Sequence, residues 1–130
     1  MEKKRKKRRY HTGVYTSLKS GKTWKYRSGW ELAVMKRLDV DVRVVSWTYE
    51  QIVIEYVSNN RTKKRRRYYP DFFVEYSDGS REIIEVKQSR KLTNPTVVKK
   101  AEAAKSWCES RGMTYVIITE VCLKSMGLLL

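Results

Sequence analysis

Three charged residues lie on two neighbouring apolar segments and have the chemistry to act on a phosphodiester. Asp71 belongs to the segment YPDFF, and Glu85 and Lys87 belong to the segment IIEVK, with a short polar turn between the two. Two carboxylates can bind a divalent ion, which polarises the phosphate, activates water and neutralises charge. The backbone carbonyl of Val86 could add a ligand, and a lysine here could orient or help deprotonate the attacking water. The pattern predicts metal-assisted phosphodiester hydrolysis.

The spacing of these residues sets a geometric condition. Side chains alternate along a strand with period two, so Glu85 and Lys87 share a face. An even, four-residue loop over 77–80 would put Asp71 opposite Val86, on the other face of the sheet. We therefore predict an odd loop or a β-bulge that brings Asp71 next to Glu85 or Lys87. A regular even hairpin would exclude the site.

The composition favours a nucleic-acid partner. The 130 residues are about one domain by size. They contain 29 Lys and Arg against 14 Asp and Glu, for a net charge of +15. Such an excess repels itself unless a polyanion neutralises it, which ranks nucleic acid ahead of an anionic membrane surface and a ribosomal-type structural role. No apolar run approaches the roughly 20 residues of a membrane span. No signal peptide follows the basic N-terminus, so we do not expect secretion.

Few nitrogen and sulfur ligands are available for a metal. Cys108 and Cys122 lie far apart in the sequence, and His11 is the single histidine. These residues supply neither a zinc cluster nor a disulfide framework, and free thiols fit a reducing compartment. A catalytic metal must then be held by oxygens, which indicates Mg²⁺ or Mn²⁺.

The periodicity of the chain predicts a mixed α/β domain. Residues 1–24 are basic and aperiodic, which predicts a flexible arm that orders on contact with a partner, although a localisation signal or solubilising tail would look alike. A single domain over 25–130 follows. Its expected elements are a helix at 28–38, strands at 43–47 and 51–57, the hairpin, a helix at 95–111, a strand at 113–119 and a short helix within 121–130. The strand-helix-strand path predicts a right-handed crossover to a parallel neighbour, in a sheet flanked by helices of order α-β-β-β-β-α-β.

Two helix starts carry recognisable caps. Ser28 and Glu31 have the spacing of a capping box ahead of the first helix. Asn94 followed by Pro95 suits the start of the second long helix, and Gly112 suits its end.

Basic clusters on either side of the acidic residues predict contacts with a phosphate backbone. One is the N-terminal run, one is a predicted loop at 61–67 that precedes Tyr68, and one follows Lys87. Tyr68 and Tyr69 could stack on unpaired bases, with core packing favoured for Tyr69. The candidate DNA-binding residues are Lys3, Lys4, Arg5, Lys6, Lys7, Arg8, Arg9, Arg61, Lys63, Lys64, Arg65, Arg66, Arg67, Gln88, Arg90 and Lys91.

The pattern Pro70-Asp71 … Glu85-x-Lys87 resembles that of the PD-(D/E)xK nuclease superfamily, whose core is the restriction-endonuclease-like mixed sheet flanked by helices. Within it, the chain is similar to the TnsA-type transposon endonuclease domain, and the head-completion nucleases of tailed phages have the same layout. The similar stretches are YRSxxE (26–31), the strand pair at 47–56, YPDF (69–72), IEVK (84–87) and YVIITE (115–120).

The resemblance implies a Mg²⁺-dependent DNA endonuclease in which an acid on the first helix, Glu31, completes the metal site. It implies double-stranded or branched DNA as substrate, phage head, portal or recombination proteins as partners, and the cytoplasm of a bacterial host or the virion as location. TnsA-type proteins carry a second domain for which this sequence has no room, so a free-standing phage or mobile-element nuclease is the closer match. Cutting both strands would require a homodimer.

Several alternatives remain open at the level of sequence. A structure-specific resolvase of the Holliday-junction type is the nearest one among enzymes. A non-catalytic, DNA-binding structural protein of the virion is the rival from another class. Glu31 alone could be a capping residue, and Glu85 with Lys87 could be a solvated strand face.

Overall fold

The computed structural model describes residues 12–128, which form a mixed sheet with helices packed against it and two additional β-ribbons. The elements are β1 Gly13–Thr16, β2 Thr23–Tyr26, α1 Gly29–Val40, β3 Val44–Tyr49, β4 Ile54–Asn59, β5 Lys64–Tyr68, β6 Phe72–Tyr76, β7 Arg81–Val86, a 3₁₀ turn Ser89–Lys91, α2 Pro95–Glu109, β8 Thr114–Ile118 and α3 Glu120–Ser125. This is a restriction-endonuclease-like fold, as the sequence predicts.

The central sheet has the strand order β3-β6-β7-β8. Strands β3, β6 and β7 are antiparallel neighbours, and β8 pairs with β7 in parallel. The parallel pair confirms the predicted return of the chain through α2. Phe72, Val74 and Ile84 lie on this sheet and pack with α1 residues such as Met35 in the main core. Glu85 lies on β7 and Asp71 immediately precedes β6, so the two innermost strands position both carboxylates.

The prediction that residues 1–24 form a flexible basic arm is wrong for the second half of this segment. Residues 1–11 lie outside the described part of the chain, but β1 and β2 form an antiparallel ribbon immediately after it. The ribbon is held to the domain by Asp39 of α1, which accepts hydrogen bonds from Tyr15, Ser17 and Leu18. Each of the two strands has only four residues and so carries a weak periodic signal, and the buried carboxylate partner is remote in sequence.

The basic run before Tyr68 is a strand and not the loop that the sequence predicts. β5 pairs with β4 in antiparallel fashion, and its residues 64–67 are all exposed. Asn59 accepts hydrogen bonds from the backbone of Arg61 and Thr62 in the connecting turn. Only Tyr68 at the end of β5 enters a core, against Ile54 and α2. A strand with one apolar residue in five has no hydrophobic alternation to reveal it.

The helix caps agree with the sequence. Ser28 accepts a hydrogen bond from the Glu31 backbone, and Asn94 accepts from Thr96 and Val97 ahead of Pro95. None of the helices within residues 12–128 is long and apolar enough to cross a bilayer.

Candidate active site

The β6-β7 hairpin has the odd register that the site requires. Glu75 pairs with Arg81 and Phe72 with Ile84, so continuation of the ladder sets Asp71 opposite Glu85. The connection closes with a hydrogen bond from the Tyr76 N–H to the Ser80 carbonyl, around a three-residue loop in which Gly79 has φ of +88°. Such a loop needs a residue in the left-handed region, which glycine supplies without strain. The predicted register is confirmed.

Pro70 explains why the end of the hairpin has unused backbone groups. The same register sets Pro70 opposite Val86, at a position where an ordinary residue would donate its N–H to the Val86 carbonyl. Proline has no N–H, so the ladder cannot continue there. The Val86 N–H donates instead to Asp71 Oδ2 at 2.7 Å. The Val86 carbonyl thus receives no hydrogen bond from the opposite strand, because Pro70 has no N–H to donate. This supports its assignment as a candidate metal ligand.

Asp71 and Glu85 are neighbouring carboxylates that line one cleft. Both are buried, and the Asp71 N–H donates to Glu85 Oε1 at 3.2 Å. Burial, reinforced by the negative charges of Glu85 and Glu31, raises the pKa of Asp71 well above its usual range. Burial also raises the pKa of Glu85, and the Tyr68 hydroxyl and the Lys87 ammonium oppose that rise. The positive charge of Lys87 does not offset the burial of the two carboxylates, and a bound cation would relieve the remaining cost.

Glu31 enters the same cleft from the first turn of α1. It is buried, and its Oε1 accepts hydrogen bonds from Tyr49 Oη and from the Arg27 N–H, both at 2.7 Å. The capping interpretation therefore holds only in part. The Glu31 carboxylate bonds the N–H of Arg27, and not that of Ser28 as a capping box would have it. Its negative charge contributes to the raised pKa of Asp71, so the two carboxylates share one electrostatic environment.

Lys87 lies just beyond β7 on the face predicted for it. Its Nζ is 3.6 Å from Glu85 Oε2, and its side chain is 28% exposed. The Lys87 N–H donates to the Ile118 carbonyl of the parallel neighbour, which fixes the backbone from which the side chain extends. The ammonium is thus held beside the acidic pair and open to the cleft.

The oxygen donors fit a hard divalent ion that keeps part of its water shell. Among residues 12–128, no group of three or more His, Cys, Asp or Glu side chains already has the arrangement of a metal centre. Asp71 and Glu85 supply two carboxylates from neighbouring strands, and the Val86 carbonyl could add a third oxygen ligand. Mg²⁺ is commonly held by one or two carboxylates together with water and substrate phosphate. The donor set therefore fits Mg²⁺ better than a metal that needs a full protein cage.

The cleft of about 980 Å³ brings together several of the predicted residues. Those that line it are Glu31, Arg67, Asp71, Glu85, Val86, Lys87, Gln88 and Lys91. The other basic residues of the β4-β5 ribbon lie outside the cleft and are exposed, as is Arg90, which donates to Gln88. Residues 3–9 lie outside the described part of the chain. The predicted basic residues that the structure describes thus fall into two groups: those that line the cleft, and those that are exposed outside it.

Sequence reasoning missed three charged residues of the cleft: Arg27, Glu50 and Lys100. Arg27 pairs with Glu50 at 3.1 Å, and burial raises the pKa of Glu50. Glu50 has φ of +55°, an unusual conformation for a residue with a side chain. Lys100 lies on α2 with its Nζ 5.5 Å from the centre of the Tyr68 ring. In the sequence each is one charged residue among many, so only the packing of separate elements reveals them.

Fold, register and acidic pair together define a nuclease of the restriction-endonuclease-like class. A family model described as the TnsA-like endonuclease N-terminal domain matches residues 41–120. The chain belongs to this family. The matched region contains Asp71, Glu85 and Lys87, whereas Glu31 precedes it.

A relative from Enterobacteria phage T4, the "Head completion nuclease", is 32% identical to this chain. The similarity covers 78% of this chain and 82% of the relative. Both comparisons agree with a nuclease role for the protein.

Proposed function

We propose that the protein is a Mg²⁺-dependent DNA endonuclease whose site is the Asp71–Glu85–Lys87 cluster. The observation that carries the proposal is the odd hairpin register, which sets the two carboxylates opposite each other with the lysine ammonium 3.6 Å from Glu85. An acidic pair at the floor of a basic cleft has few uses other than holding a cation against a phosphodiester.

In this proposal, some residues of the site bind the metal ion and Lys87 positions the attacking water. Asp71, Glu85 and the Val86 carbonyl hold the ion, and Glu31 adds a carboxylate from α1. The ion, when bound, supplies charge neutralisation at the phosphate and a lower pKa for an attacking water. Lys87 orients that water and donates to a phosphate oxygen, because its ammonium is a hydrogen-bond donor held beside the ligands. Mn²⁺, which prefers similar oxygen donors, should substitute.

The biological setting follows from the phage relative and is also a proposal. A nuclease that acts on DNA during completion of the phage head would work in the cytoplasm of a bacterial host or on the assembling virion. Its partners would then be head or portal proteins. Paired cuts in both strands would need two copies of the chain, since each chain supplies one Asp71–Glu85–Lys87 cluster.

Cleavage of supercoiled plasmid tests the proposal directly. We expect nicked or linear product with Mg²⁺ and with Mn²⁺, and none with EDTA. Lys87→Ala should lower the single-turnover rate by roughly 100-fold or more, the range of a positioned donor or acid–base group. Lys105→Ala is the matched control, because Lys105 is exposed on α2 and does not line the cleft.

Three outcomes would change the assignment. Unaltered cleavage by Lys87→Ala would exclude this cluster as the catalytic site. A protein that binds DNA but cuts no substrate would be a structural DNA-binding component of the virion. A strong preference for four-way junctions over plasmid would identify a junction resolvase of the same fold.

The β4-β5 ribbon should supply a separable part of DNA affinity. Arg65, Arg66 and Arg67 are exposed on β5, and Arg67 reaches the cleft. Replacing all three with alanine should weaken binding to every sequence and reduce the slope of log K against log salt by about 0.9 per lost phosphate contact, or up to about 3. A salt titration by fluorescence anisotropy in EDTA measures the slope.

The double variant Lys36→Ala, Lys105→Ala controls for net charge, because both residues are exposed and lie outside the cleft lining. If this variant changed the slope as much per charge as the ribbon variant, the contribution would be one of overall charge and not of the ribbon surface.

A further inference from the structure

Tyr69 is an exposed aromatic residue at the site, where the sequence predicts a core residue. Its side chain is 46% exposed and lines the cleft, whereas its neighbours Tyr68 and Pro70 are buried. Single exposed tyrosines are ordinary on protein surfaces. Tyr69 differs because it precedes Asp71 by two residues and shares the cleft with the acidic pair.

The backbone under Tyr69 is held rigidly on both sides. Pro70 restricts the residue before it to extended conformations, and Pro70 itself is among the most deeply buried side chains. On the other side, Tyr68 packs in a core with Ile54, and its hydroxyl is 3.0 Å from that of Tyr115. An exposed ring on a fixed backbone loses little conformational entropy when it binds a flat ligand.

The surroundings of the ring select the type of ligand. The same cleft contains the cations Arg67, Lys91 and Lys100 and a second aromatic side chain, Trp30 of α1. A groove that combines basic side chains with an accessible aromatic ring is the arrangement with which proteins bind single-stranded nucleic acid, through phosphate contacts and base stacking. In an intact duplex each base is already stacked on its neighbours. Extruding a base so that it could reach Tyr69 costs the free energy of unstacking and unpairing.

We propose that Tyr69 stacks on an unpaired nucleobase next to the cleaved phosphodiester, and that the preferred substrate is therefore DNA with unpaired nucleotides at the cut. The inference rests on the proposed nuclease function and defines the form of DNA that the site accepts. Frayed ends, flaps and gaps belong to this preferred class, and continuous B-form duplex is the slower substrate.

Stacking can be measured without cleavage. A flap oligonucleotide with 2-aminopurine in the unpaired segment beside the duplex junction is bound in EDTA, and its fluorescence is followed as protein is added. Wild-type protein should quench the probe and bind the flap more tightly than a fully paired duplex of equal length. Tyr69→Ala should abolish the quenching and weaken flap binding roughly 5- to 150-fold, which corresponds to the range measured for base–aromatic stacking.

Two further variants separate stacking from other roles of the side chain. Tyr69→Phe keeps the ring and should retain both quenching and affinity, whereas Tyr69→Leu keeps apolar bulk and should lose them. Fully paired duplex should bind to all of these variants with similar affinity. In Mg²⁺, wild-type protein should cut the flap substrate faster than the duplex, and Tyr69→Ala should remove that preference.

The proposal is overturned if quenching persists in Tyr69→Ala, or if this variant weakens flap and duplex binding equally. Failure of the nuclease assignment would look different. Quenching and flap preference would then be present in EDTA, but no substrate would be cut in Mg²⁺ or Mn²⁺.

Discussion

Asp71→Asn should abolish DNA cleavage and make the metal-free protein more stable than the wild type. Asparagine removes a buried negative charge from a site where burial and the charges of Glu85 and Glu31 raise the pKa of Asp71. Its side-chain oxygen can still accept the Val86 N–H bond that Asp71 accepts now. Cleavage should fall at least about 100-fold, beyond the effect usual for residues that only support a metal ligand. The free energy of unfolding should rise at neutral pH, since the fold disfavours the charged form of Asp71 and asparagine carries no charge.

The gain in stability of Asp71→Asn over the wild type should increase with pH. Because the folded pKa of Asp71 is raised, the unfolded chain releases its proton at a lower pH, near 3.9 for an ordinary aspartate. Wild-type stability from this group is therefore complete below that value and is lost as pH rises through the folded pKa. The advantage of Asp71→Asn should be absent in acid, grow above about pH 4 and level off once Asp71 is ionised in the folded wild type.

Denaturant unfolding in EDTA from pH 4 to 8 measures this difference. Asp78→Asn is the matched control, because Asp78 belongs to the same hairpin but is exposed, and hydrogen bonds from Ser80 lower its pKa. Added Mg²⁺ should stabilise the wild type and not Asp71→Asn, since a ligand stabilises only the state that binds it. If Asp71→Asn were less stable than the wild type across this range, the acidic pair would be a satisfied structural pair and not a site awaiting a cation.

Asp39→Ala should be among the most destabilising single changes in the part of the chain that the structure describes. The Asp39 carboxylate accepts four hydrogen bonds, from Tyr15 Oη at 2.6 Å, Ser17 Oγ at 2.8 Å, the Leu18 N–H at 2.7 Å and Trp47 Nε1 at 2.8 Å. Burial disfavours the charged form, but these bonds outweigh it and lower the pKa of Asp39. Alanine would leave buried donors without partners, at a cost of about 3–5 kcal/mol.

In Asp39→Ala, the loss of stability should affect the β1-β2 ribbon first. Trypsin should cut at Lys19 or Lys22 in the connecting turn of Asp39→Ala at temperatures where the wild type is protected, because the ribbon would detach before the central sheet unfolds. Thr12 and Arg27 flank the ribbon at its open end and line the cleft, so DNA cleavage should fall as the ribbon detaches.

Asp41→Ala provides the control for the Asp39 experiment. Asp41 pairs with Arg43, and the two side chains are 14% and 73% exposed. A pair with one partner open to solvent contributes about 1 kcal/mol or less. The destabilisation of Asp39→Asn should lie between that of Asp39→Ala and that of Asp41→Ala, because its amide keeps one acceptor oxygen. Equal protection of the ribbon in Asp39→Ala and wild type would show that apolar contacts, such as Trp24 with Trp47, are sufficient to hold it.

The sequence alone determined the candidate site residues and most of the fold. Asp71, Glu85 and Lys87 are identifiable as candidates because hydrolysis of a phosphodiester favours these residue types, and because strand periodicity links Glu85 to Lys87. The requirement for an odd hairpin register followed from the same periodicity, and the pairing of Glu75 with Arg81 satisfies it. The helix caps at Ser28 and Asn94 are local features and were equally readable.

Only the tertiary structure decided which residues from other elements join the site. Arg27, Glu50 and Lys100 meet at the cleft because β2, β3 and α2 pack around the central hairpin, and no local spacing encodes that meeting. The β5 strand was missed because its residues 64–67 are all exposed, leaving no alternation between core and solvent. Tyr69 was assigned to the core because aromatic residues usually pack there. Burial depends on which elements cover a residue, and that is a property of the assembled fold.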